Sequence, residues 1–341
     1  MLPWVVPRSL EVKPRWLLPL SYSAYRVFKL CPLLFAFERD SDIPPRTNPR
    51  ARMGTAFHAA LEFLSSCSPH ERGEVIAFFR ERLLIERREA GQNYRDVNQI
   101  WPGDLREAME VTLAARLGPY SKLGVRGAHA VESTLRSADG RLLGRPDEVI
   151  TTAQGPIIVD YKTGNPERAN LPELEDQLHF YAGLWQEVHD QIVRNGVAIF
   201  LLDGSRHEVE ISQDRISAIL LEARGVADTF PSIGDWLAEA KPGVHCATCD
   251  YRPWCSAYWE SGVQGDSGAG SLDFEGIICA EHAGDSRAFC IRTKDNHRLL
   301  VNRSEEPLPP LTMGTKVRVL DAVQHDSVAL RFRWTEIWRL E

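Results

Sequence analysis

The segment GRPDEVITTAQGPIIVDYKTG, residues 144–164, constrains the fold more than any other stretch, because it sets two carboxylates and an ammonium on strands that also carry an apolar run. Strands over 143–151 and 157–163 form a hairpin in this reading. A two-residue loop at Ala153-Gln154 puts Asp147 opposite Asp160, whereas a loop at Gln154-Gly155 puts Asp147 opposite Lys162. Either register sets Asp147, Asp160 and Lys162 on one face, since side chains alternate along a strand. A one-residue bulge would break the pattern. Ile157, Ile158 and Val159 draw Asp160 inward, where a charge needs a partner. Two carboxylates converging with an ammonium suit Mg²⁺ or Mn²⁺, hard cations that take oxygen ligands and keep positions for water and phosphate. Lys162 then orients the water or stabilises charge on a phosphorane-like transition state. The bland alternative is a surface hairpin with an Asp–Lys salt bridge.

Around the hairpin, apolar spacing predicts a helix from Ser21 to Phe37, with Ser21 or Ser23 as N-cap and Cys31-Pro32 late in it. Further helices are expected at about 55–65, 71–90 and 102–117. Strands follow at 131–137, 142–152 and 156–163, a helix at 171–188, strands at 196–202 and 207–211, and a helix at 214–229. This order predicts an α/β core, residues 1–260, with a mixed central sheet flanked by helices. SGVQGDSGAGS reads as a Gly/Ser-rich linker over 261–271. Residues 272–341 carry short strands at 276–279, 288–293, 299–301, 316–320 and 328–338, which predict a small β-barrel, OB or SH3-like.

With 40 basic against 47 acidic residues, a net charge of −7 leaves no global field to draw the protein onto nucleic acid. Phosphate contacts must then be local. Arg46, Arg50 and Arg52 form one cluster, while Arg80, Arg82, Arg87, Arg88 and Arg95, interleaved with Glu, read as a solvated helix face. Pro3, Pro7, Arg8, Lys13, Pro14 and Arg15 interrupt the N-terminus before a signal core or membrane span can form, so a cytoplasmic protein is expected. Seven cysteines, an odd number, point to reduced thiols or metal ligands. Cys246, Cys249 and Cys255 give C-x₂-C-x₅-C, one ligand short of a tetrahedral zinc or cubane iron–sulfur site, and Cys31 or His245 can supply the fourth. Cys67, Cys279 and Cys290 lack partners at useful spacing and read as small buried hydrophobes.

Residues 20–260 resemble the RecB-like branch of the PD-(D/E)xK nucleases, which have a restriction-endonuclease-like core. The resemblance lies in GRPDEV, in Val159-Asp160-Tyr161-Lys162-Thr163-Gly164, in the run Gly54 to Glu62, and in Gln177 and Tyr181 spaced four apart. It implies that Asp147, Asp160, His58 and the Tyr161 carbonyl ligate Mg²⁺ or Mn²⁺. It further implies that Lys162 is the catalytic lysine and that Gln177 and Tyr181 touch nucleic acid near the scissile phosphate. Glu62, one turn after His58, stands to hydrogen-bond it or join the site. Leu174, Leu178, Tyr181 and Trp185 equally describe a packing face, and both roles are compatible. LSYSAYRVFKLCPLLFAFE is similar to the N-terminal segment of the subgroup that carries a [4Fe-4S] cluster. That implies a structural cluster on Cys31, Cys246, Cys249 and Cys255, with structural Zn²⁺ on the same ligands as the alternative.

The resemblance implies a metal-dependent DNA nuclease, an exonuclease acting on single strands or free ends in repair, recombination or anti-phage or CRISPR-type defence. A nuclease-like scaffold that only binds nucleic acid or a helicase, and a nuclease acting on RNA, remain as alternatives. In the C-terminal unit Arg331, Arg333, Trp334, Trp338 and Arg339 are candidate phosphate and base-stacking contacts. Trp334 and Trp338 fit a barrel core equally well. Docking to a helicase or defence-system partner is a further expectation.

Overall fold

A computed structural model describes residues 5–7, 10–43, 49–66, 74–93, 103–117, 128–131, 133–261, 271–281, 288–294, 297–302, 311–325, 328–331 and 335–341. The chain groups into two units, one of Trp16–Arg26 and Thr47–Ile233, the other of Met1–Arg15, Val27–Arg46 and Gly234–Glu341.

The first unit is α/β. Its main sheet has the spatial order β1 (Ala128–Val131), β2 (Glu148–Thr152), β3 (Gly155–Lys162), β4 (Asn195–Phe200), β5 (Arg206–Glu210). Only β3 and β4 run parallel; the other neighbours are antiparallel. A parallel pair needs a crossover, and the 19-residue helix Leu171–His189 falls between them. Three helices, α1 (Pro49–Ser66), α2 (Val75–Asn93) and α3 (Gly103–Leu117), precede the sheet. They bury Met53, Phe57, Phe79 and Met109 against Val159, Tyr161 and Val197. The crossover helix, α4 (Leu171–His189), turns Leu178 onto Gly196 of β4, where a Cβ would stand 3.2 Å from it. Gly183 in turn lets α5 (Gln213–Thr229) approach, since a Cβ there would meet Ile216 at 2.7 Å.

The hairpin adopts the first of the two registers, with Thr152 opposite Gly155 and Glu148 opposite Val159, so Ala153-Gln154 is the loop. The expected strand over 142–152 is not continuous. Leu142–Gly144 joins Leu20–Ser21 and Leu135–Arg136 in a separate three-stranded sheet, and residues 145–147 leave the ladder. Pro146 has no N–H to give it. The helix expected over Ser21–Phe37 also breaks, into Tyr22–Leu30 and Pro32–Phe37, with Cys31 extended (φ −159°) ahead of Pro32.

In the second unit β6 (Ser271–Glu281), β7 (Ala288–Arg292), β8 (His297–Asn302), β9 (Lys316–His325) and β10 (Val328–Arg331) close a five-stranded barrel in the cyclic order β9, β6, β7, β8, β10. Only the β8–β10 pair is parallel among these. Phe274, Ile278, Ile291, Leu300, Val319 and Ile337 belong to its core. A last strand, β11 (Glu336–Leu340), pairs with β9, so the run expected over 328–338 is two strands.

Several surface expectations change. Trp338 is buried, packs edge-on against Trp254 with ring centres 4.7 Å apart, and donates its indole N–H to Glu336. It is a packing residue rather than a base platform, and Arg331 is buried as well. Arg339 is exposed, whereas Arg333 and Trp334 lie outside the described residues. So do Arg46, Cys67, Arg95, linker residues 262–270 and the side chains of Arg50, Arg87 and Arg88. Arg52 pairs with buried Glu86 at 3.2 Å, while Arg80 and Arg82 pair with Glu110 and Glu86. Cys279 and Cys290 are not isolated core thiols. They sit half-buried on neighbouring strands, sulfur to sulfur at 3.2 Å, because a bulge between Ile278 and Ala280 shifts the register. No helix of the described residues is long and apolar enough to cross a membrane.

Candidate functional site

β3 decides how the site is built. Its alternation sends Val159 and Tyr161 to the α1–α3 core and leaves Asp160 and Lys162 to the opposite face. Asp147, in the Pro146 break just before β2, is fixed across the strand by the Tyr161 N–H, which donates to its Oδ2 at 2.5 Å. On α1 the buried Phe57 packs edge-on against Tyr161 with ring centres 5.7 Å apart. That contact brings its neighbour His58 to 3.2 Å from Asp147 Oδ1, measured from Nδ1. Lys162 Nζ lies 2.7 Å from Asp160 Oδ2 and donates to Gln177 Oε1 at 2.6 Å. Gln177 Nε2 donates to the Tyr181 hydroxyl at 2.9 Å, one turn further along α4. His58 and Asp147 thus gather at the Tyr161 N–H, and Asp160 and Lys162, the residues on either side of Tyr161, begin a chain through Gln177 to Tyr181.

Asp147 and Asp160 are both buried, and Asp160 Oδ2 receives no directed hydrogen bond despite its closeness to Lys162. A buried carboxylate oxygen with lone pairs unspent fits a hard cation. Among the described residues, no three His, Cys, Asp or Glu side chains are drawn together tightly enough to hold a metal ion. Lys162 lies against one carboxylate and the Tyr161 N–H against the other.

Glu62 forms an ion pair with Arg145 at 3.0 Å. Glu148 had no role in the sequence reading, yet it is buried and accepts from the Tyr161 hydroxyl at 2.9 Å. A carboxylate flanking an aspartate in GRPDEV was the available signal. Gly144 bears on the site as well, since a Cβ there would come within 2.7 Å of Leu184 and 3.1 Å of the Tyr181 ring. A cavity of about 570 Å³ opens beside Lys162 and Gln177, bounded by the loop 163–170 that follows β3.

In the second unit Cys31, Cys246, Cys249 and Cys255 line one small apolar cavity with Leu33 and Phe37. Cys31 gets there because the helix breaks at Pro32. Burial pushes the Cys249 thiol up to about 12 and that of Cys255 up to about 11, the cost of placing thiolates in apolar surroundings. His245 lines the same cavity, its Nε2 3.7 Å from the Cys246 sulfur. Between the cysteines, Arg252 donates from Nε to the Cys249 carbonyl and from its two terminal nitrogens to Asp273 at 2.8 Å and Asp321 at 2.9 Å.

A family model for the PD-(D/E)XK nuclease superfamily matches residues 19–256. No match is found among curated proteins. Among solved structures, the crystal structure of SSO0001 matches over 60% of this chain and 96% of that chain, at 14% identity and a TM-score of 0.30.

Proposed function

Because this chain belongs to the PD-(D/E)XK nuclease superfamily, we propose that it is a metal-dependent DNA nuclease, an exonuclease of RecB-like type acting on single strands or free ends in repair, recombination or defence. The observation that carries this reading is that His58 and Asp147 gather at the Tyr161 N–H while the neighbouring Asp160 and Lys162 are tied to Gln177. Asp147 and Asp160 offer carboxylate oxygens to Mg²⁺ or Mn²⁺, with His58 and the Tyr161 carbonyl completing the set. Such an ion supplies Lewis-acid polarisation of the phosphate and a lowered pKa for a water. Lys162 holds a fixed positive charge where negative charge builds as water oxygen attacks phosphorus and the P–O bond to the leaving sugar breaks. Gln177 fixes the Lys162 ammonium, and Tyr181 fixes Gln177.

Purified protein with Mn²⁺ is expected to degrade single-stranded DNA. Asp160→Ala and Lys162→Ala are expected to abolish this while circular dichroism shows a folded chain. Wild-type rates in both variants would sink the site assignment, and cleavage of RNA alone would change the substrate.

The four cysteines around one cavity support a structural [4Fe-4S] cluster. Four cysteines lining one cavity match the ligand number such a cluster takes. Anaerobically purified protein should then be brown and contain iron; colourless protein with stoichiometric zinc would replace the cluster by Zn²⁺. The parallel pair within an otherwise antiparallel barrel supports an OB rather than SH3-like assignment. Such a barrel suits guiding a single strand or docking a helicase.

A further inference from the structure

The 570 Å³ cavity sits at the carboxyl ends of β3 and β4, the parallel pair, where open α/β sheets habitually take their ligands. Leu105, Leu174 and Phe200, all buried, form an apolar floor; Thr163, Asn165 and Arg168 stand on its polar rim. That volume and that mixture of an apolar floor with a few polar groups are ordinary for a small-molecule site. They match a nucleotide, whose base has apolar faces and polar edges.

Charge on the wall points the same way. The Arg168 side chain makes no hydrogen bond or ion pair among the described residues, although nearby arginines are engaged: Arg26 with Glu173 and Arg215 with Asp176. The carboxylate of Glu173 on the same wall is thereby neutralised. A guanidinium on the wall of the same cavity as Lys162, on a protein of net charge −7, offers a local anion site.

We propose that this cavity receives the unpaired nucleotide adjoining the scissile phosphate, its base on Leu174 and Phe200 and its outer phosphate on Arg168. The proposal rests on the nuclease reading, because Lys162 and Gln177 are shared between the cavity wall and the catalytic group. It carries a substrate class with it. A base enters only after leaving its stack, an energetic cost that is least for a single strand.

The test measures fluorescence anisotropy of a labelled oligo-dT in EDTA, where no cleavage occurs, across a series of NaCl concentrations. Losing one phosphate contact should make Arg168→Ala bind more weakly at low salt and flatten its log K against log[salt] slope by about 0.7. Ala169→Trp, on the cavity wall, keeps the charges and fills the space. It should weaken binding with the slope unchanged. Thermal unfolding of each variant checks that it is folded. A wild-type slope in Arg168→Ala, wild-type affinity in Ala169→Trp, or no binding by the unaltered protein each overturns the proposal. Both variants showing their signatures while the unaltered protein cuts no DNA with Mn²⁺ would leave the pocket standing and remove the nuclease reading; cutting by the unaltered protein with neither signature in the variants would do the reverse.

Discussion

Gly144 ends the short strand Leu142–Gly144, and its missing side chain leaves room for the ring of Tyr181 and for Leu184. Tyr181 accepts from Gln177, and Gln177 accepts from Lys162, so packing at position 144 reaches the ammonium through two hydrogen bonds. Gly144→Ala would set a Cβ 2.7 Å from Leu184 Cδ1. Overpacking of this kind costs about 1–3 kcal/mol. We expect a lower thermal midpoint and a cleavage rate that falls further than the midpoint alone accounts for; full activity in the variant would show that Tyr181 does not position Lys162. The carboxylates and the lysine were legible in the sequence because strand alternation is independent of turn type. Gly144 was not, because its partner lies 40 residues on, across a helix–strand contact that no local pattern encodes.

At the level of elements, turns and breaks separate what the sequence states from what it hides. The Ala153-Gln154 loop emerged from two registers only when the structure chose between them. Pro146 and Pro32 each end an element that apolar periodicity runs through, and both breaks matter, one freeing Asp147 from the ladder and the other turning Cys31 to its cavity. The 137–141 turn adds a pH dependence. Asp139 accepts from the Ser137 hydroxyl at 2.6 Å, from the N–H and guanidinium of Arg141, and from Arg224 on α5 at 2.9 Å. Ser137 first, then Arg141 and Arg224, hold its carboxyl well below its ordinary value of 3.8. A carboxyl depressed in the folded state stabilises it above the unfolded value and loses that contribution as pH falls toward the folded one. The stability gap between wild type and Asp139→Asn should therefore be full at pH 5 and shrink as the pH drops from about 4 toward 2. Urea titrations across that range measure it, and a constant gap would contradict the assignment. The barrel supplies a second case. Cys279 and Cys290 are too far apart in sequence for spacing to pair them, yet their sulfurs stand 3.2 Å apart. Hydrogen peroxide should oxidise one thiol to a sulfenic acid, releasing water, and the other sulfur then displaces the second water as the S–S bond forms. Peptide mapping should find that disulfide; mapping that shows both thiols unlinked after two others have reacted would refute it.

Across the whole molecule, the cysteine-bearing segments and the barrel fall into one unit, and Arg252 is one of the residues that join them. It is nearly buried, as is Asp273, which also accepts from the Tyr258 hydroxyl at 2.7 Å and, through its other oxygen, from the Asp321 N–H at 2.8 Å. Burial alone would lower the Arg252 pKa, but Asp273 and Asp321 overcome it and the guanidinium stays charged. Such a pair adds little net stability over well-packed apolar residues, yet removing one member strands the other in a dry interior, at a cost of about 3–5 kcal/mol. Arg252→Met should therefore lower the unfolding midpoint of this unit sharply. Arg252→Met with Asp273→Asn and Asp321→Asn should recover part of the loss, since no orphaned charge remains. Because Arg252 also donates to the Cys249 carbonyl, both variants should retain less iron or zinc than wild type after dialysis. Recovery of stability without recovery of metal would separate the two functions of this arginine. A single variant that unfolds and binds metal like wild type would mean that the cysteine segment and the barrel are held together by apolar packing such as Trp254 on Trp338.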